Sequence, residues 1–511
     1  MLIGALYAAL FAVRAGDFVR ALYRNADVAS GPVIAQALGT AQGTRTVVLG
    51  NYPWAEALWL QRAIDALTGS RALLVAGPFV LWAIAVALLG FTVQRVTRDR
   101  WRTLLGIVVL VAAGPAVWAT YASWTIHGLV LVHLALLGAF WGWLTAGERG
   151  RRGLAAGAVV GVLSGIGTAS DLLVAPAALV PLAGAALLWR GRVAGTRAAA
   201  GLCVGVALVG AALTRVAMGW LDIRAASGVS VGPAAPGQLA DNAGLLGGAL
   251  LQVFDAEVAR LPFGGLKLAH LCALAVAVTW AGLCAHALWT AVRAQAGDRR
   301  QAHVLFWGFS ALSLLVGFVA VTAAVDVTSS RYLVGVLFAA GALLPVCGEA
   351  DSRLARGVAA SVALYALVGV VGLARGEFTV DGLRAPDAEQ AHALARYAAR
   401  QDVGVLYAGY WDAMPLTWNG GGMEVRPVEP CPAAGGLCPF RFHRISTWYR
   451  PRPGVRSAIV LDRRIRLSAL TALPPGLGVP ASTTRIGQLE VVLFGRDVAT
   501  NFGPATGSPP G

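Results

Sequence analysis

The chain has 511 residues, of which 57% are hydrophobic and only 13% charged, against roughly 25% charged in an ordinary soluble domain. With a mean hydropathy of +0.66 and long apolar runs recurring between basic loops, it reads as a polytopic α-helical membrane protein, and a water-soluble fold is excluded for most of it. The net charge of +15 comes mainly from short loops and the C-terminal region, a distribution that marks membrane topology and not a nucleic-acid surface.

In chain order, spans are expected near 1–13, 73–93, 103–121, 125–146, 153–169, 171–189, 197–217, 266–292, 303–324, 331–348 and 357–374, eleven in all. These runs do not alternate apolar with polar residues, as the strands of a transmembrane barrel would. The even loops carry Arg95, Arg98, Arg100 and Arg102; Arg149, Arg151 and Arg152; Arg190, Arg192 and Arg197; Arg293, Arg299 and Arg300; and Arg353 and Arg356. The short odd loops around 122–124, 170 and 325–330 contain no Arg or Lys. This asymmetry predicts a protein of the cytoplasmic membrane with its N-terminus inside and its C-terminal region outside. Lys267 is the only lysine, and the wealth of Ala, Gly, Val and Arg points to a high-GC bacterium. The first span is short: about 13 helical residues cover roughly 20 Å of a hydrocarbon core about 30 Å thick. Either the helix continues past Arg14 or the true start lies upstream; no basic stretch precedes the apolar run and no clear cleavage site follows, which argues against a cleaved signal peptide.

Two outer segments are long, 14–70 and 221–265. In the first, Pro53 to Ile64 is amphipathic, with Trp54, Leu58 and Trp59 placed to lie on a bilayer surface while Glu56 and Arg62 face water. The second is rich in Gly and Pro and reads as irregular. From about Arg375 hydrophobicity falls. Pro386 to Arg400 opens with Pro and acids and closes with basic residues, a helix signal, and strands are expected at 403–410, 424–428, 440–447, 457–462 and 488–495. The expected organisation is a transmembrane domain over 1–374, an extracytoplasmic α+β domain over 375–500 and a disordered Gly/Pro-rich tail over 501–511. Cys203, Cys272, Cys284 and Cys347 lie in apolar spans as small buried hydrophobes. Cys431 and Cys438 bracket a short exported loop where a disulfide is expected; zinc is the alternative, with only His443 nearby and no second pair.

An ionisable group at the membrane boundary is costly unless paired or used, and few such groups stand at the expected outer ends of the spans. They are Asp17 and Asp27 on the first outer segment, His127, Asp171, and Arg331 with Tyr332 in Ser329-Ser330-Arg331-Tyr332-Leu333. Each has an ordinary reading: Asp171 as a helix cap, Asp27 as a solvated loop acid, Arg331 as a snorkelling cation, His127 as a hydrogen-bonding group of the bundle. Together, at one expected depth, they fit transfer from a lipid phosphate. A carboxylate takes the proton of an attacking hydroxyl and a cation stabilises the departing phosphate.

A short first span, a long first outer loop bearing Asn25-Ala26-Asp27, interfacial helices, many further spans and an exported C-terminal domain resemble the GT-C superfamily of membrane glycosyltransferases. Asn25 to Gln36, Val48 to Asn51, Trp54 to Leu60 and Ser329 to Leu333 are similar to stretches of actinobacterial GT-C-like proteins. The resemblance implies a hexosyl- or pentosyltransferase using a polyprenyl-phosphate sugar donor, with membrane lipid around it and a cell-envelope glycan, lipid or protein as acceptor. It implies inversion at the anomeric carbon, Asp27 as general base with Asp17 second, and Arg331 on the phosphate; from their placement, His127, Asp171 and Tyr332 are expected to line the pocket. Ala26 stands where a second carboxylate is common, which leaves a divalent metal open; no other cofactor is implied. In the exported domain Tyr407, Tyr410, Trp411, Asp412, Trp418, Trp448 and Tyr449 read first as core, and Tyr410, Trp411 and Asp412 second as an acceptor platform. The competing reading is a transporter or flippase of a lipid-linked sugar, which would place polar sites at mid-bilayer, where His133 stands, in two related halves. A partner-binding assembly protein is a third, for which eleven spans exceed what anchoring needs.

Overall fold

A computed structural model describes residues 2–40, 46–50, 52–147, 149–191, 193–226, 231–258, 265–295, 297–347, 352–375, 386–431, 436–462 and 470–503. The tail expected to be disordered lies outside the described residues from 504 onward. The chain folds as two compact units. One comprises Met1–Gly16, Val75–Arg215 and Val231–Val380; the other comprises Asp17–Leu74, Val216–Ser230 and Asp381–Gly511.

The first unit is helical. Among the described residues seven helices are long and apolar enough to cross a membrane: Arg71–Thr97, Gly150–Ser170, Thr196–Trp220, Lys267–Arg293, Arg299–Ala320, Ser329–Cys347 and Ser352–Ala374. Their outward apolar side chains, such as Leu208, Val209, Leu213 and Val278, belong against hydrocarbon and not water. Close helix approach comes from a stripe of small residues. A Cβ at Gly157, Gly161 or Gly165 would fall 2.6, 2.6 and 2.7 Å from the carbonyl oxygens of Ala199, Cys203 and Ala207 on the facing helix, so only glycine lets these backbones meet.

The other four expected spans are helical but altered. The first runs past Arg14 as Leu2–Leu22 and takes in Asp17 and Arg20. The run 103–121 is not one helix: Arg100–Val111 ends before Gly114-Pro115, and Pro115–Tyr121 starts anew. Proline has no N–H for a continuing helix and biases Gly114 to its extended conformation. The helix within 125–146 is Gly128–Leu144. That within 171–189 is a π-turn, Ala175–Leu179, followed by Val180–Leu188.

The second unit assembles three distant pieces of chain, where the sequence reading places one division at 374/375. Its strands are β1 Val47–Val48, β2 Ile223–Arg224, β3 Val403–Gly409, β4 Val425–Pro430, β5 Leu437–Pro439, β6 Arg444–Ile445, β7 Arg456–Asp462, β8 Ser482–Ile486 and β9 Leu489–Phe494. A small sheet ordered β2-β1-β6 ties the segment that follows the first helix and the segment after Trp220 to the C-terminal region. The larger sheet runs β5-β4-β3-β7-β9-β8, with β3 parallel to both β4 and β7 and the outer pairs antiparallel. Successive residues of the central strands enter opposite cores. Leu406, Ala408, Ala458, Val460, Val491 and Leu493 pack with the helix Ala388–Arg400, while Val405, Tyr407, Ile459, Leu461, Val492 and Phe494 pack on the other side. A sheet covered on both faces reads as continuous apolar runs. Within the expected strand 440–447 only β6 is a strand, and it runs into a short 3-10 turn, Ser446–Tyr449. Cys431 and Cys438 are joined as a disulfide and are therefore not zinc ligands.

Trp54 and Leu58 are buried inside this unit, so they do not lie on a bilayer surface as expected. The apolar face of the helix Ala55–Thr68 is covered by protein, including the helix Ala26–Thr40.

Candidate functional site

In the second unit, Asp27 sits in the first turn of the helix Ala26–Thr40, where a negative charge is favoured by the helix dipole. The Asn25 side chain accepts from the Asp27 backbone N–H at 2.9 Å, and the Ser30 hydroxyl donates to the Asp27 carbonyl at 2.9 Å, so the turn is held from both sides. The Tyr410 hydroxyl donates to Asp27 Oδ1 at 2.7 Å. Tyr410 opens the helix Tyr410–Asn419 directly after β3, at the C-terminal end of a parallel strand, where α/β folds place functional groups.

The Tyr410 ring lies in a column of rings. It stacks on Phe440 at 4.6 Å and on His443 at 5.3 Å, and His443 stacks on Trp54 at 5.8 Å. Burial pushes the Tyr410 hydroxyl well up, and the Asp27 charge and hydrogen bond push it further, so at neutral pH it is a neutral donor to the carboxylate. His443 has φ +48°, the left-handed region, uncommon outside glycine. Gly50 allows its ring this close: a Cβ there would lie 3.2 Å from His443 Nε2. His443 Nδ1 and Trp54 Nε1 are buried and have no hydrogen-bond partner among the described residues.

Burial holds the His443 imidazole down at about 4, with the Asp27 charge offsetting part of the effect. An unfolded histidine titrates near 6.5, so below that pH the unfolded chain gains a proton that the folded chain refuses until about 4. Stability present at neutral pH is therefore lost as the pH falls through this window, by roughly 3 kcal/mol. Unfolding of the detergent-solubilised chain between pH 7 and 4 measures this, and His443→Phe is expected to flatten the dependence. An equally steep dependence in His443→Phe would assign it to other groups.

In the first unit, His127 Nδ1 and Asp171 Oδ2 are hydrogen-bonded at 2.5 Å. His127 has φ +56° and precedes the helix Gly128–Leu144. Asp171 terminates the helix Gly150–Ser170, and its Oδ1 also accepts from the Leu173 N–H at 3.0 Å, so it caps a turn and orients the imidazole together. The His127 ring meets Tyr332 edge-on at 4.9 Å, and the Arg331 guanidinium lies over the Tyr332 ring at 5.5 Å. Both stand on the 3-10 turn Val327–Leu333, beside which the Ser330 hydroxyl donates to Gln252 at 2.6 Å. This unit thus brings together His127, Asp171, Arg331 and Tyr332.

Asp17 is half-exposed on its helix and ion-paired with Arg20 one turn on, not beside Asp27 in the Asn25 turn. Tyr410 and Asp412 are buried and Trp411 is half-buried, edge-on to Tyr410. They do not form an open stacking platform, because the Tyr410 faces are covered by Phe440 and His443. The sequence reading missed the tie between Tyr410 and Asp27 and the part played by His443 and Trp54. The first joins positions 383 apart, and no local spacing announces it. Among the described residues no three His, Cys, Asp or Glu side chains converge to hold a metal ion.

These features define a multi-pass membrane protein with a second, mixed α/β unit carrying an engaged carboxylate. Its fold is that of a solved membrane protein: ArnT from Cupriavidus metallidurans, crystallised with undecaprenyl phosphate, matches with a TM-score of 0.53 at 15% identity over 95% of this chain and 97% of that one. No family model and no curated protein sequence matches the chain.

Proposed function

We propose that the protein is a membrane glycosyltransferase that moves a sugar from a polyprenyl-phosphate donor to a cell-envelope acceptor at the outer face of the cytoplasmic membrane. The observation carrying this is the ArnT-like fold over nearly the whole chain, coupled to a carboxylate in the first outer segment that is held by a neutral tyrosine hydroxyl. The ArnT crystals contain undecaprenyl phosphate, a polyprenyl-phosphate lipid of the kind the proposed donor carries. The basic even loops support the orientation.

In the proposed reaction Asp27 takes the proton from an acceptor hydroxyl as its oxygen attacks the anomeric carbon. The bond from that carbon to the phosphate oxygen breaks with its electron pair, and polyprenyl phosphate leaves against the Arg331 guanidinium. Attack opposite the leaving group inverts the anomeric centre. Tyr410 positions the carboxylate, and the His127–Asp171 pair holds its imidazole in one tautomer toward the substrate.

Transfer of radiolabel from polyprenyl-phosphate sugars in membranes containing the chain tests the reading. Tyr410→Phe keeps the ring column and removes one donor to the carboxylate. Transfer is expected to fall about tenfold, in line with one hydrogen bond to a charged group. The loss should fall on kcat with KM held, because the ring and its packing remain and only the donor to the carboxylate is gone. An unchanged kcat would remove Tyr410 as a positioning residue.

A further inference from the structure

The second unit contains a cavity of about 470 Å³ that the reaction above does not use. Its lining includes Gln36, Arg71, Glu424, Arg426, Trp448 and Arg452. Three guanidinium groups thus face one carboxylate. Glu424 already serves two of them: Arg426 Nε and a terminal nitrogen bond its Oε1 at 3.0 and 2.8 Å, and Arg452 reaches its Oε2 at 3.2 Å. Arg426 is fully buried and also donates to the Trp448 carbonyl, so its fork is rigidly set. Arg71 has no acidic partner among the described residues; its guanidinium rests on the Trp418 ring at 4.8 Å. The balance is an excess of two positive charges, held next to an indole and to the amide and hydroxyl groups of Gln36, Thr417 and Thr447.

We propose that this cavity binds the acceptor and that the acceptor is a sugar-sized head group bearing a phosphate; the acceptor role rests on the glycosyltransferase reading. Two uncompensated guanidinium charges match a phosphate dianion, which planar arginine forks recognise in two-point fashion. The volume falls within the range of small-molecule sites, roughly 300–1,000 Å³. The indole offers a face for the C–H side of a sugar ring, and the polar groups meet its hydroxyls. Arg71 is the first residue of the apolar helix Arg71–Thr97, so the phosphate it binds stands where a membrane span begins, as befits a lipid-borne head group.

The test uses the full chain in neutral detergent, with glucose 1-phosphate, inorganic phosphate and glucose as probes, read by tryptophan fluorescence and calorimetry. Glucose 1-phosphate is expected to bind, inorganic phosphate more weakly, and glucose not detectably. Arg71→Gln and Arg452→Gln should each weaken the sugar phosphate at least tenfold, with Arg71→Lys retaining part of the binding should the glutamine variant not fold. Equal binding of glucose and glucose 1-phosphate, or unchanged affinity in both arginine variants, overturns the proposal. Weakened binding of a polyprenyl-phosphate sugar donor in Arg71→Gln, with glucose 1-phosphate unaffected, would assign the cavity to the donor and overturn it too. Asp27→Asn separates the two readings. Glucose 1-phosphate binding that persists while transfer fails supports both, whereas transfer that depends on Asp27 without any sugar-phosphate binding sinks the cavity and leaves the transferase reading standing.

Discussion

Asp27→Asn is expected to abolish measurable sugar transfer, lowering the rate by about 10²–10⁴, the range for removing a positioned general base. The substitution is nearly isosteric, and the carboxamide oxygen can still accept from the Tyr410 hydroxyl that now bonds Oδ1. The Asn25 and Ser30 bonds involve the Asp27 backbone and are untouched. Folding and donor binding should therefore persist, so the loss reads on the chemical step alone, because an amide cannot take the acceptor proton. Single-turnover transfer, with donor affinity measured in parallel, checks this. Wild-type rates in Asp27→Asn would eliminate the carboxylate as base, and a pure loss of donor affinity would make it a binding residue.

The second large effect is expected at Arg331. Its guanidinium rests on the Tyr332 ring, on a 3-10 turn that feeds the apolar helix Val334–Cys347. Removing a preorganised charge that meets a departing phosphate costs about 10²–10³ in rate, and Arg331→Gln should show a loss of that size. Arg331→Lys should recover only part of it, since an ammonium lacks the planar fork that grips two phosphate oxygens. The comparison is made on transfer rates at saturating donor. If lysine and glutamine both behave as wild type, Arg331 is only a cation reaching the headgroups.

What the chain discloses by itself follows from period and composition. The central strands β3, β7 and β9 were legible because both of their faces are buried, leaving runs such as Val405 to Ala408 and Val491 to Phe494 bounded by turn residues. The strand Ser482–Ile486 was not, because it lies at the sheet edge and most of its residues are exposed and polar. Pro415 and the aromatics hid the helix Tyr410–Asn419. The break at Gly114-Pro115 was written in the dipeptide, but the surrounding hydrophobicity outweighed it. An amphipathic period reports that Trp54 and Leu58 share an apolar face, yet not whether lipid or protein covers it. The scarcity of polar groups led to Asp27 in one unit and to His127, Asp171 and Arg331 in the other. The pairing of His127 with Asp171 across 44 positions and of Asp27 with Tyr410 across 383 depends on tertiary folding, which no spacing records.

The most direct measurement of the central claim is the fate of a radiolabelled polyprenyl-phosphate sugar in proteoliposomes holding the purified chain and an acceptor. The account predicts that the bond between sugar and phosphate is cleaved, with free polyprenyl phosphate and an anomerically inverted product appearing in equal amounts, and that Asp27→Asn stops both. Donor that crosses the bilayer intact, at the same rate in wild type and Asp27→Asn, would contradict it and identify a flippase.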